Sequence, residues 1–422
     1  MPSVFFETFG CQMNVSDSND IALALFSKGY KEVLCPQEAD LIIINTCSVR
    51  EHAEQRAIAH IKQHASFKRQ NKKNQKIWVI GCMAQRLGEM LKKQIPEIDR
   101  VVGARNLPEF LLEISQIETT SSLDNISYSS KNKISTFVPI MRGCNNHCAY
   151  CVVPLVRGPE ESLPLSLIKD KVKSLVDNGV KEVTLLGQNV NSYKDNKTDF
   201  CDLLEELSKI NELQRIRFTT SHPKDCSKKL INAVKNLPKV CKHIHLPVQS
   251  GSTRILSLMN RGYTQKQYLE LIDLIKAEIP SADITTDAIV GFPTETIEDF
   301  IQTKTLFSQV RFTSAFMFAY SKRENTPAAK LNDDIPPKEK ISRLKELITL
   351  QTQITKEHYD SMVGKNAFVL FTEKQKSKQQ MWMGQDYGCK KVLIACNDIK
   401  AGMIFKVRII KSTGMTLIAE RI

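Results

Sequence analysis

Three cysteines within eight residues, in the run Cys144-Asn-Asn-His-Cys148-Ala-Tyr-Cys151, can present three thiolates to one side of a metal centre. Structural zinc takes four ligands, usually as two C-x2-C knuckles, so a zinc reading needs His147 or a distant residue as the fourth. An iron–sulfur cube held by three cysteines instead keeps one iron open to an exogenous ligand. A second set is dispersed. Cys11, Cys47 and Cys82 each stand just after an apolar run, VFFETFG, LIIINT and KIWVIG respectively. If those runs are strands of one parallel sheet, the three thiols meet at one edge, where such sheets bind ligands. Taken singly, each would pass as a buried inert thiol. The other six, Cys35, Cys201, Cys226, Cys241, Cys389 and Cys396, share no such pattern and are read as structural.

The elements that position these residues follow from the apolar pattern. Over 1–115, short apolar runs alternate with helical stretches, which predicts an α/β domain with a mostly parallel sheet. Ser16 and Asp17 offer a cap for a helix ending near Gly29, and Ser48 with Glu51 offers a capping box for a helix running towards Phe67. Residues 116–133 are polar and read as a linker. Over 134–362, six strand-like runs (ISTFVPIM, EVTLLGQ, RIRFTTS, HIHLPVQ, DITTDAIVGF, SAFMFAYS) alternate with amphipathic stretches, and a long helix over about 338–362 follows. Six β/α units are too few for a full eight-fold barrel, so a partial (β/α)6 barrel is predicted. Over 363–422 the pattern turns to five short β runs, as in a small antiparallel β-barrel. The fold class is therefore α/β and multidomain.

Size and charge narrow the function. With 422 residues, 42% hydrophobic and 25% charged, the chain can bury sizeable cores. No run approaches the roughly 18 apolar residues of a membrane span. The opening MPSVFFETFGCQMN has no basic stretch before a long apolar one, so a cytoplasmic protein with reduced cysteines is expected. The net charge of +13 suggests a polyanionic partner, and the last domain concentrates it. Residues 364–422 hold eleven Lys/Arg against four Asp/Glu, and Lys62–Lys76 is a further basic run without an acid. Neither a GxGxxG nor a P-loop is present, so a nicotinamide or nucleoside-triphosphate enzyme finds no support.

The C-x3-C-x2-C run after the first barrel strand resembles the radical S-adenosylmethionine superfamily. With the N-terminal three-cysteine domain and a C-terminal module resembling the RNA-binding TRAM barrel, the whole chain resembles the methylthiotransferases. The strings that carry this are GCQMNVSDS at 10–18, NTCSVRE at 45–51, PIMRGCNNHCAYC at 139–151, VTLLGQNVNSY at 183–193, RIRFTTSHPKD at 215–225 and HIHLPVQSGS at 243–252. They are most similar to the branch that methylthiolates carbon 2 of N(6)-dimethylallyladenosine beside the tRNA anticodon. The resemblance implies two 4Fe-4S clusters. Cys144, Cys148 and Cys151 would hold the one that binds and cleaves S-adenosylmethionine, and Cys11, Cys47 and Cys82 an auxiliary one that carries sulfur. It also implies radical abstraction at carbon 2, sulfur insertion, and methylation by a second S-adenosylmethionine. The partners would be the tRNA anticodon stem-loop, a low-potential donor of flavodoxin or ferredoxin type, and a sulfur-supplying system.

Candidate S-adenosylmethionine contacts are Gln188, Asn189, Arg217, His245 and Gln249, at strand ends of the barrel; Arg217 could pair with the methionine carboxylate or belong to a structural ion pair. Three departures stand out. Leu163 replaces the second arginine of the usual Arg-Gly-x-Glu-x-Ser-Arg-Pro, in which Pro159 fills the first variable position; Thr294 replaces a glycine in GFPTE, and Glu324-Asn325 replaces Pro-Gly. A β-branched Thr294 is strained if φ is positive there, whereas Asn325 tolerates a left-handed turn. Two other readings share parts of this pattern. Sister methylthiotransferases act on threonylcarbamoyl-adenosine of tRNA or on a ribosomal-protein aspartate. A non-catalytic iron–sulfur redox sensor that binds RNA would not cleave S-adenosylmethionine.

Overall fold

A computed structural model describes residues 1–48, 51–71, 74–116, 133–375 and 381–422. They fall into two compact units, the first comprising the chain up to Gln116 with Met141–His147 and Cys151–Glu161. Its elements are β1 (Ser3–Thr8), α1 (Gln12–Phe26), β2 (Lys31–Glu32), β3 (Leu41–Thr46), α2 (Glu51–Asn71), β4 (Lys76–Gly81), α3 (Cys82–Gln94), β5 (Arg100–Gly103) and α4 (Leu107–Gln116). The five strands form one parallel sheet in the order β2-β1-β3-β4-β5. Every residue of β3 is buried, as expected of a central strand covered on both faces. On one face Ile42 and Ile44 pack with Ala57 and Ile61 of α2, and on the other Leu41 and Ile43 pack with Ile21 and Leu25 of α1.

Helix boundaries depart from the sequence reading. The first helix starts at Gln12, with Cys11 as its N-cap, so Ser16 and Asp17 lie buried inside it instead of capping it. It stops at Phe26, and Gly29 takes φ +82° shortly after. Helix α2 begins at Glu51 and continues past Phe67 to Asn71; positions 49–50 of the expected capping box lie outside the described residues. So do 117–132 of the expected linker and 72–73 of the basic run. The short strands β2 and β5 were not expected. Each is too brief for apolar alternation to register.

In the second unit all six expected barrel strands form, as Ser135–Pro139, Glu182–Leu186, Arg215–Thr219, His243–His245, Asp283–Val290 and Ser314–Ala319. They make two three-stranded parallel sheets, the first three strands in one and the last three in the other. The long helix is Pro337–Asp360. The last five strands, Asn366–Lys374, Met381–Gln385, Lys391–Ala395, Ile404–Ser412 and Leu417–Arg421, close into a barrel around Val369, Phe371, Val392, Val407 and Leu417. It is not wholly antiparallel, because Lys391–Ala395 and Leu417–Arg421 run parallel. A closed ring of five strands cannot alternate direction all the way round, so one parallel pair is unavoidable.

Thr294 has φ +67° and Asn325 φ +65°. The threonine is held there by Asp334, whose carboxylate accepts its N–H at 2.9 Å, and by Arg254, which donates to its carbonyl at 2.6 Å. A β-branched residue in this region costs about 1–3 kcal/mol, while asparagine visits it readily. Thr294→Gly should therefore raise unfolding stability by about 1 kcal/mol, the relieved strain outweighing the added chain entropy of glycine. Denaturant unfolding measures this, and a less stable variant would mean that the second Arg254 bond, donated to the threonine hydroxyl at 3.2 Å, outweighs the strain.

Candidate metal centres and cofactor pocket

Strands β1, β3 and β4 end in register, with Thr8 opposite Asn45 and Thr46 opposite Gly81. Cys11, Cys47 and Cys82 follow these ends, Cys11 exposed and the other two buried. Gly10 permits the approach. Its φ is +109°, and a Cβ there would lie 2.4 Å from the Cβ of Cys47. Asn14 ties the two loops together, donating to the carbonyls of Phe9 at 2.8 Å and Thr46 at 3.0 Å.

A cation missed in the sequence reading sits among these thiols. Arg157, from the Arg-Gly string after Cys151, is buried and donates to Asn14 Oδ1 at 2.8 Å. Asp17 lies 3.7 Å away and also receives Arg142 at 2.6 Å. The Nη1 of Arg157 has no protein hydrogen-bond partner. Burial pushes the Cys82 thiol up to about 11; Arg157 pulls against this, and the neighbouring Cys47 and Cys11 add to it. Three convergent thiols beside a buried cation with an unused N–H suit an anionic, thiolate-held cluster. Only the position of Arg157 just after the cysteine run hinted at this role.

In the second cysteine set, each sulfur accepts an N–H. Asn146 N donates to Cys144 Sγ at 3.4 Å, Val153 N to Cys151 Sγ at 3.4 Å, and Arg261 Nη1 to Cys148 Sγ at 3.2 Å. Donors of this kind favour thiolates and tune a cluster bound to them. Gly143 shapes the loop. With φ +74°, its missing Cβ would stand 1.8 Å from the carbonyl oxygen of Pro159. The buried Arg261, also missed from sequence, further donates to the carbonyl of Pro247 at 2.9 Å.

The candidate cofactor contacts divide. Gln188 presents a buried Oε1 without a partner, and Gln249 is buried with φ +70°. His245 is held by Thr285 at 3.0 Å, with Asp287 at 3.4 Å. Asn189 is engaged internally, donating to Asp225 at 2.7 Å and accepting from His222 N at 3.1 Å. Burial, reinforced by the charges of Arg261 and Lys224, lowers the His222 imidazole to about 2 and keeps it neutral.

Arg217 corrects the expectation of a carboxylate clamp. Its Nε donates to Glu182 at 2.9 Å, and its terminal nitrogens donate to the carbonyls of Gly388 and Asp386. From mid-strand the long side chain reaches towards the strand starts, away from the C-terminal rim where such barrels hold their sites. Arg215 reaches the same loop, donating to the carbonyls of Gln385 at 2.7 Å and Phe368 at 3.0 Å, and Lys390 pairs with Asp283. The ion pair is structural, as an arginine fork suits it to be.

Comparison with known proteins agrees with this architecture. Residues 138–307 match the radical SAM superfamily, and residues 3–103 match the uncharacterized protein family UPF0004. The tRNA-2-methylthio-N(6)-dimethylallyladenosine synthase of Chloroherpeton thalassium is 44% identical, the alignment covering 99% of this chain and 95% of that one. The synthase of the same name from Syntrophus aciditrophicus is 46% identical over 87% of this chain and 83% of its own. The chain belongs to this synthase family. Among solved structures, a radical S-adenosylmethionine methyltransferase from Kitasatospora setae shares the fold at 13% identity. Its TM-score is 0.57, covering 78% of this chain and 77% of that one.

Metal-free protein offers a direct check on the first cysteine set. Alkylation of Cys82 should climb roughly tenfold per pH unit as its thiolate fraction grows, up to a thiol midpoint of about 11. Peptide mass spectrometry after timed iodoacetamide pulses reads this, and a plateau already at neutral pH would show that Arg157 outweighs burial.

Proposed function

We propose that this chain methylthiolates carbon 2 of N(6)-dimethylallyladenosine beside the anticodon of tRNA. Near full-length similarity to synthases of that name carries the reading. The sulfur environments on both cysteine sets support it. Cys144, Cys148 and Cys151 hold one 4Fe-4S cluster, and Cys11, Cys47 and Cys82 hold a second. When bound, these clusters and S-adenosylmethionine supply the radical cleavage, sulfur insertion and methyl transfer that an unactivated ring carbon requires.

The protein's part is to hold and exclude. Arg261 and the backbone N–H groups of Asn146 and Val153 stabilise charge on the cluster sulfurs, and Arg157 does so for the auxiliary set. Gln188 and Gln249 offer amides to S-adenosylmethionine, and His245, fixed by Thr285, a ring nitrogen. On the C-terminal barrel, Lys406 and Arg408 point outward, alternating with the inward Val407 and Ile409. Exposed Phe368 stands opposite Lys406. Cations flanking an open aromatic face suit phosphate and base contacts of single-stranded RNA. The chemistry also calls for a flavodoxin- or ferredoxin-type electron donor and a sulfur-supplying system, with the cytoplasm as its setting. Among the described residues, no helix is long and apolar enough to cross a membrane.

Nucleoside mass spectrometry of total tRNA, with and without the gene product, tests the reading. Loss of 2-methylthio-dimethylallyladenosine with accumulation of its unthiolated precursor is expected. An unchanged nucleoside would sink the substrate assignment.

The two cysteine sets should separate chemically. Replacing Cys144, Cys148 and Cys151 with Ala should remove roughly half the bound iron, one cluster of two, and end 5′-deoxyadenosine formation. Replacing Cys11, Cys47 and Cys82 should leave that cleavage measurable while stopping sulfur insertion. Thiolation surviving the second replacement would overturn the auxiliary role.

A further inference from the structure

Helix α2 carries two histidines four residues apart, His60 and His64, which places them on one helical face. Alternation along β1 and past its end brings Phe5, Glu7 and Phe9 to the same side of the sheet, and Phe5 and Phe9 pack in the core that α2 covers. The ring of Phe5 meets His64 edge-on at 6.3 Å, and that of Phe9 meets His60 at 5.3 Å. Between them one carboxylate oxygen of Glu7 lies 2.7 Å from His60 Nδ1 and the other 3.1 Å from His64 Nε2. One donor atom from each of the three residues can be chosen so that all lie within 4.8 Å of one another.

We propose that Glu7, His60 and His64 form a mononuclear site for a divalent transition cation, with zinc the best fit. Two imidazoles and one carboxylate are a zinc donor set that leaves a fourth position for water. The half-exposed His60 opens that position to solvent. Imidazole nitrogens disfavour magnesium and calcium, which take oxygen ligands, and zinc outranks ferrous iron for such donors. Having no thiolate, the site is chemically distinct from both cysteine sets. His64 is buried and the aromatic edges fix both rings, so the donors are arranged before the cation arrives. The cation would clamp β1 to α2. Glu7 lies four residues before Cys11, and α2 begins four residues after Cys47, so the clamp ties together the two segments that carry these cysteines.

The test uses full-length protein, anaerobically loaded with iron and sulfide, stripped of loose metal and titrated with zinc chloride. Elemental analysis should find one zinc per chain beyond the iron, and zinc-edge X-ray absorption only nitrogen and oxygen neighbours at about 2.0 Å. His60→Ala and Glu7→Gln should each weaken zinc binding by roughly a hundredfold at unchanged iron content. Zinc should raise the unfolding midpoint of the unmodified protein but not of these variants. If Glu7→Gln fails to fold, half-exposed His60→Ala decides alone. Failure to retain zinc, equal affinity in the variants, or sulfur neighbours at the zinc edge would each overturn the site and leave a hydrogen-bonded triad only.

Discussion

Parallel strands all finish at the same edge of a sheet, and the N-terminal unit is organised around that constraint. Three cysteines 36 and 35 residues apart have no local reason to meet. They meet because β1, β3 and β4 are adjacent, in register and pointed the same way. The apolar contents of β3, packed by helices on both faces, hold the register. A slip of one residue would turn its isoleucines to the wrong faces and carry the cysteine loop out of reach. Core packing and the cysteine-bearing edge are therefore set by the same residues.

The barrel of the second unit treats its two poles differently. Strand starts carry Glu182, Arg215, His243 and Asp283, and the loop from Gln385 to Lys390 closes over them. Ions this deeply buried are tolerated only when their hydrogen bonds are met, and here most are. Burial raises the Asp386 carboxyl above its usual range, and Lys390 opposes the shift. The opposite pole keeps its amides less committed, as with Gln188 Oε1.

Much of this was legible in the amino-acid order. The six barrel strands, the five of the small barrel and the three cysteine-bearing strands all announce themselves through apolar runs bounded by turn residues. Local chemistry read less well. Ser16 and Asp17 look like caps, but the chain turns into its helix earlier, at Cys11, because the loop must bring that residue against Cys47. Arg217 sits in a string that resembles a cofactor site, and its side chain runs the other way because Glu182 and the loop carbonyls draw it. Arg157 and Arg261 act across long separations, and neither spacing nor periodicity encodes a contact of that range.

The small barrel is joined to the larger one by buried charge as well as by chain. Arg215 lies over the ring of Tyr387 at 4.2 Å while its guanidinium binds carbonyls on two of the small barrel's strands. A surface fixed in this way cannot search for its ligand independently. On the RNA-binding role proposed for the small barrel, the joint would act as a gauge, setting the span between the point where a polyanion is gripped and the rim where one of its bases is presented. Selection among substrates would then rest partly on length: a stem-loop of the right reach would deliver its base, and a shorter or longer one would bind without doing so.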